Sequence, residues 1–332
     1  MNVAAYRQAA VKAIKWLLEQ QNDDGSMDPV DQGVAAYYKV PYAFSLAGRT
    51  PEAVRLLTWI RENSFTEEGD FGGHYPRIGA HQTYYHYSNS WLIAGAQRLA
   101  QFDISLRGID FLTSLQHYES GGFLTRGPEA PLTGEQDLMT TCTAGLACLY
   151  AGRLDEATAV GEHLIRVWKK QPVASKRLYF TVHGGEQLIT DFPEEQSLLR
   201  VVDVTKTGQY YAIPGLATAF LVRLASATGD KKYLDCAHKY AEFGDLCAGD
   251  RYKAPASGWF GWGAALLYQA TGNANYRRIA CEVADYIVSA QLEGGTWGDP
   301  AIGAEYAHVI MDSTAEFAIL LCEMVEGLMT GE

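Results

Sequence analysis

Residues 228–243 read TGDKKYLDCAHKYAEF, and residues 271–286 read TGNANYRRIACEVADY. The two stretches align without a gap. Thr-Gly is followed by Asp230 or Asn273, then by Tyr233 or Tyr276, Ala237 or Ala280, Ala241 or Ala284, and Phe243 or Tyr286. Glycine tolerates the left-handed conformation that ends a helix, and Asp or Asn accepts hydrogen bonds from the first free amides of the next one. Each stretch therefore reads as the turn between two helices plus the start of the second. A second pair makes the same statement earlier in the chain. Ala47-Gly48-Arg49 followed by Glu52-Ala53 recurs as Ala151-Gly152-Arg153 followed by Glu156-Ala157. Repetition of a helix-turn-helix unit decides the architecture before any single motif is considered.

Working outward from these turns, apolar residues recur at helical spacing in segment after segment, separated by Gly, Pro and Asp clusters. The pattern predicts an outer helix at 4–20 followed by an inner one at 33–48. Further pairs are 51–63 with 84–100, 103–117 with 137–151, and 154–170 with 209–228. The last two are 231–246 with 258–271, and 274–291 with 305–328. Pro51 behind Thr50 suits a first helical turn after an N-cap. Only 173–206, with Tyr179-Phe180-Thr181-Val182 and Val201-Val202-Asp203-Val204, reads as a local loop and short-strand insertion. The expectation is an all-α chain of six helical hairpins forming one domain over residues 1–332.

The 332 residues are 48% hydrophobic and 20% charged, with a formal net charge of −12. This composition is that of a globular protein and excludes disordered, collagen-like and disulfide-dense classes. An acidic balance argues against a phosphate-binding surface, so nucleic acid is not an expected partner. No membrane span or export segment is visible, which predicts a cytoplasmic protein. The six cysteines form no Cys-x2-Cys pair and lie mostly in apolar helical patterns, the setting of buried free thiols.

A further repeat closes the outer helices. Trp16, Phe111 and Tyr286 each precede a glutamine by five residues: Gln21, Gln116 and Gln291. After them come Gly25-x-Met27, Gly121-x-Phe123 and Gly295-x-Trp297, and Trp59 with Gly69-x-Phe71 is a diverged copy. The glutamine can satisfy orphan groups at helix ends, while the glycine permits a tight turn. These segments resemble the QW repeats of squalene and terpenoid cyclases, whose architecture is shared by protein prenyltransferase β subunits. The resemblance implies a closed (α/α)6 toroid and, as function, a cyclase, isomerase or lyase. Sugar 2-epimerases, uronyl hydrolases and other six-hairpin glycosidases share that barrel. This chain lacks the Asp-x-Asp-Asp motif of class II terpene cyclases, and its Asp137 and Cys142 depart from the Asp-x-Cys spacing of prenyltransferases.

In such a barrel the inner helices line a funnel, and their N-terminal ends form its mouth. Those ends are rich in aromatic residues here. Tyr37, Tyr38, Tyr85, Trp91, Tyr210, Tyr211, Trp259 and Trp262 are the expected substrate-binding wall, with Cys142 as a thiol facing it. Aromatic faces attract cations and also stack on sugar rings. Packing of an ordinary core is the competing reading for each of them. Asp137 at the start of the third inner helix is the expected acid, since a carboxyl that loses hydration keeps its proton. It is equally suited to being an N-cap. His308 and Asp312, four apart with Glu316 one turn further, are the expected base and its orienting carboxylate, with His86 in reserve. The same spacing also suits a helix-face ion pair. No phosphate loop, dinucleotide fingerprint, nucleophile elbow or helical metal pair is present in the sequence, so neither metal nor cofactor is expected.

Two chemistries and one bland alternative follow. The first is a cofactor-independent cyclase, isomerase or lyase working by acid–base chemistry on an apolar isoprenoid-like or polyketide-like small molecule. The second is a carbohydrate-active hydrolase or epimerase, and the third is a toroidal binding protein without chemistry.

Overall fold

A computed structural model describes residues 2–73, 77–185 and 187–330. Thirteen α-helices account for more than half of the chain among these residues. In order they are α1 (Val3–Glu19), α2 (Val34–Tyr37), α3 (Val40–Leu46), α4 (Thr50–Asn63), α5 (Tyr87–Arg98), α6 (Phe102–Thr113) and α7 (Leu138–Tyr150). They continue with α8 (Leu154–Lys169), α9 (Ala212–Thr228), α10 (Lys231–Leu246), α11 (Gly258–Thr271), α12 (Ala274–Ala290) and α13 (Ala307–Thr330). The twelve expected helices are present, the first inner one in two pieces. Pro41 supplies no amide for the carbonyl of Tyr37, and the helix is interrupted at Tyr38 and Lys39. Thr50 differs from its expected role: α4 begins at Thr50 with Arg49 in the cap position and no side-chain cap bond.

The layers follow from hydrophobicity. α9 is buried without a gap from Ala212 to Val222, and α11 from Gly258 to Tyr268. A helix apolar all round must be enclosed. Their partners α10 and α12 bury one stripe only. The paired turns take the expected form. Gly229 and Gly272 are left-handed at φ 73° and 68°. Asp230 accepts from the Lys232 amide at 3.0 Å, and Asn273 from the Asn275 amide at 2.9 Å.

The glutamine turns join consecutive outer helices around the ring. Gln21 donates to the carbonyls of Gly25 (3.3 Å) and Glu52 (3.0 Å), tying α1 to α4. Gln116 reaches Gly121 and Glu156, both at 3.0 Å, tying α6 to α8. Gln291 reaches Gly295 at 3.0 Å and Ala9 at 2.9 Å. This last pair joins α12 to α1 and closes a circle whose ends are far apart in sequence. The result is a closed α/α toroid.

Short strands lie at the mouth. β1 (Glu135–Asp137), β3 (Thr181–His183) and β4 (Gln187–Leu188) form one antiparallel sheet in the order β1-β3-β4. β2 (Arg177–Tyr179) pairs with β5 (Val201–Asp203). Four of the five fall within 173–206. β1 lies outside it and was not anticipated, because three residues show no alternation until Glu135 pairs with His183 and Asp137 with Thr181. All six cysteines are free thiols, and none of the helices among the described residues is long and apolar enough to cross a membrane.

Candidate functional site

The interruption between α2 and α3 brings the side chain of Lys39 to the edge of a cavity bordered by inner helices. Lys39 is only 2% exposed. Its ammonium lies 2.8 Å from Asp312 Oδ1, bonds Glu316 Oε2, and sits over the rings of Tyr38 (4.9 Å) and Tyr87 (5.4 Å). Both carboxylates come from α13, one turn apart. Burial alone would lower the Lys39 pKa, but Asp312 and Glu316 outweigh it and hold the ammonium well above its ordinary range. Burial raises the Glu316 carboxyl, Lys39 opposes that shift, and Asp312 adds to it. One ammonium neutralises one carboxylate, so the second is driven towards its protonated form.

This cluster borders a cavity of about 700 Å³, lined by Tyr38, His81, Tyr84, Tyr87, Met139, Tyr210, Trp259, Trp297, Ile310 and Phe317 among others. That volume lies in the ~300–1,000 Å³ range of small-molecule sites. His81 stands on the turn 79–82, edge-on to Tyr38 at 4.9 Å between ring centroids. Burial pushes its pKa down to about 4, against the pull of Asp312, so the imidazole is neutral at pH 7. The far side of the cavity passes between α12 and α13, where Ile287, Ala290, Trp297 and Phe317 make it apolar. Beneath Trp259 a small chamber of about 20 Å³ is lined by Tyr42, Trp91, Tyr150, Trp262 and Glu323. Trp259 borders both spaces and lies 5.6 Å from each of Trp91 and Trp262.

The expected site residues separate into groups. Tyr38, Tyr210, Trp259 and Asp312 line the main cavity, and Trp91 and Trp262 line the chamber below it. Tyr37 points away, into the space between the layers, bonding Ser64 at 3.1 Å and packing edge-on against Trp59 of α4. Tyr211 bonds Asp250. Tyr85 donates to Asp70 at 2.6 Å and lies under the Arg77 guanidinium at 3.7 Å, in a separate polar cluster. Cys142 is fully buried in α7, where desolvation raises its thiol pKa.

Asp137 and His308 have other partners than the expected roles require. Asp137 is the N-cap of α7. Its Oδ1 accepts from the Thr140 amide at 2.9 Å and its Oδ2 from Thr125 at 2.7 Å and the Thr140 hydroxyl. It is 2% exposed, and although burial raises its pKa, these three bonds oppose that shift, and it is not among the residues lining either space. His308 does not pair with Asp312. Gln32 Oε1 accepts from its backbone amide and lies 2.9 Å from its Nδ1, while Asp312 has turned to Lys39. His86 is wholly buried, with Nε2 on the Leu124 carbonyl and its ring against Phe123, and burial takes its pKa to about 4.

Lys39 escaped the sequence reading altogether. The available signal was a lone charge in the otherwise uncharged run from Gln32 to Gly48, which soluble proteins rarely place inside without a partner. His74 and Tyr75, which precede the aromatic stretch 81–91 in sequence, lie outside the described residues.

No protein-family model matches the chain, and no curated protein resembles it significantly in sequence. Solved structures do share the fold. Cellobiose 2-epimerase from Spirochaeta thermophila superposes with a TM-score of 0.68 at 13% identity, over 99% of this chain and 98% of that one. A D-mannose isomerase gives 0.65 at 13% identity, covering 94% and 96%. A type II terpene cyclase from Scytonema, solved with geranylgeranyl dihydroxybenzoate, gives 0.61 at 10% identity and covers 99% of each chain. At such identities the likeness carries the architecture alone: the chain is an α/α toroid, like these epimerase, isomerase and cyclase structures.

Proposed function

We propose that this protein is a cofactor-independent cyclase, isomerase or lyase that moves protons on a mainly apolar small molecule of isoprenoid or polyketide type. The observation that carries the reading is the Lys39–Asp312–Glu316 cluster at the edge of an aromatic cavity that also contains a neutral imidazole. Glu316 serves as the acid. Its carboxyl delivers a proton to a double bond or a departing oxygen of the substrate, and the Lys39 ammonium stabilises the carboxylate left behind. The positive charge that develops on carbon is met by the faces of Trp259, Trp297 and Tyr210. His81 then accepts the proton lost from the neighbouring carbon. As an imidazolium with a depressed pKa it releases that proton to solvent, Glu316 takes one up from solvent, and the cycle closes with no net change in protons. Asp312 holds Lys39 and, by its charge, favours the protonated form of Glu316. A toroid of the same fold that cyclises terpenoids supports the reading by analogy of architecture.

A carbohydrate substrate is the second reading, favoured by the tyrosine hydroxyls around the cavity and by epimerases and isomerases of the same fold. The lining weighs against it. Its charged groups are one lysine and three carboxylates, Asp299, Asp312 and Glu316, without the arginines and asparagines that hold a ring of hydroxyls.

The test is turnover in deuterium oxide with a panel of isoprenoid and polyketide-like compounds, read as deuterium in the product. Glu316→Gln should lower kcat by ~10²–10⁴-fold, the usual worth of a positioned acid, while circular dichroism stays unchanged. Retention of wild-type kcat by the folded variant would exclude Glu316 as the acid.

A further inference from the structure

The main cavity and the small chamber are two levels of one axial space. On five inner helices a residue lining the cavity is followed, three or four positions later, by one lining the chamber. Tyr38 is succeeded by Tyr42, Tyr87 by Trp91 and Met139 by Thr143. On α13 Glu316 is succeeded by Leu320, and on α11 Trp259 by Trp262. That step is one helical turn, ~5–6 Å along the axis, and five helices around the ring take it in the same sense. The chamber therefore continues the cavity one turn deeper. Among the described residues, Trp259 alone lines both spaces. It is 2% exposed, and its ring centroid lies 5.6 Å from those of Trp91 and Trp262, two walls of the chamber. Its indole is the partition between the levels.

We infer that Trp259 sets the length of the molecule this protein accepts: a hydrocarbon chain running down the axis from Glu316 ends against the indole, and the chamber is the length withheld. This rests on the reading of the cavity as a site for a mainly apolar molecule, and it adds a residue that determines specificity. The chamber is fitted for hydrocarbon. Ala94, Leu146, Ala147 and Ile319 contribute apolar walls. Its one charged residue, Glu323, is spent on Arg223 at 3.0 Å and on the Tyr42 hydroxyl at 2.9 Å. The hydroxyls of Ser90 and Thr143 turn back to backbone carbonyls one turn earlier, at 3.1 Å and 3.0 Å. At about 20 Å³ the chamber holds no more than about one water while Trp259 closes it. With a smaller side chain at 259 the two levels join, and the end of a longer chain finds a buried apolar seat.

The experiment is calorimetric binding of a series of linear primary alkanols to the full chain, lengthened one carbon at a time. Wild-type affinity should rise by up to about fourfold per added carbon and stop rising at a cut-off length. Trp259→Leu should move the cut-off up by about three to five carbons, the reach of one helical turn, and bind the longer alkanols at least about tenfold more tightly than wild type. Trp259→Phe should move it less, and it carries the comparison if the leucine variant fails to fold by circular dichroism. Ala147→Val, which narrows the chamber alone, should leave the wild-type cut-off in place and cancel the gain when added to Trp259→Leu. An unchanged cut-off in the folded Trp259 variants would overturn the inference, as would a gain that survives Ala147→Val. So would a cut-off that moves instead in Trp297→Leu, which would put the chain end between α12 and α13, or no alkanol binding at all. Binding is measured without turnover, so the two readings fail separately. A cut-off set by Trp259 alongside a fully active Glu316→Gln variant keeps this inference and removes the acid. A Glu316-dependent reaction with an unmoved cut-off does the opposite.

Discussion

Lys39 carries the only charge between Asp31 and Arg49, and both of its ion-pair partners belong to α13. Its partners are separated from it by most of the chain, so no local spacing reveals the cluster. The spacing of His308 and Asp312 did put both on the last inner helix, but a shared helix is a weak condition. Isolated i,i+4 pairs are worth only ~0.2–0.5 kcal/mol, and a buried ammonium from the break between α2 and α3 outcompetes them. Removing that ammonium should be severe. Lys39→Met leaves Asp312 and Glu316 side by side without a counter-charge and should cost about 3–5 kcal/mol at pH 7, measured by urea unfolding. The loss should shrink at lower pH as the carboxyls take up protons. A loss below about 1 kcal/mol at pH 7 would show that the cluster is not buried as described.

At the scale of elements, the turns carried most of the legible information. Gly229-Asp230 and Gly272-Asn273 are punctuation whose geometry is set by two residues, and they fold as written. The glutamine turns were legible as a repeat, yet the helix each one reaches was not. Gln116 bonds its own turn through Gly121 and the next outer helix through Glu156. Gln116→Ala should cost ~1–2 kcal/mol by leaving two carbonyls short of a donor. Gly121→Ala should cost more, ~3 kcal/mol or above, because φ is +69° and a Cβ would lie 2.2 Å from the Ala159 carbonyl oxygen. Thermal unfolding of the two variants side by side checks the order. A Gly121→Ala protein as stable as wild type would mean that the turn does not press on α8.

For the whole molecule, burial of histidines sets the response to acid. Burial depresses His86 to about 4 and His163 to about 3, both below the ordinary value of 6.5. The unfolded chain therefore binds more protons than the folded one between these limits, and stability falls as pH drops from about 6.5 towards 4. Each histidine should contribute a loss on the order of 2–4 kcal/mol by pH 4. Asp137 and Glu316 act in the other sense. Their folded pKa values are raised, so their contribution is present at low pH and lost as pH rises. Comparing wild type with His86→Gln cancels those terms. Denaturant unfolding at pH 7, 5.5 and 4 should give the variant the shallower acid loss, and parallel curves would contradict a neutral buried His86. The sequence by itself determined the helical hairpins, their inner and outer order and the aromatic character of the mouth, because periodicity, turn chemistry and helix caps act over a few residues. Only the tertiary structure decided that Tyr37 and Tyr211 serve packing, that Asp137 is spent on a cap, and that Lys39, His81 and Glu316 meet at one cavity. Those outcomes depend on which way a side chain faces once six hairpins close into a ring, and on charges brought together from opposite ends of the chain.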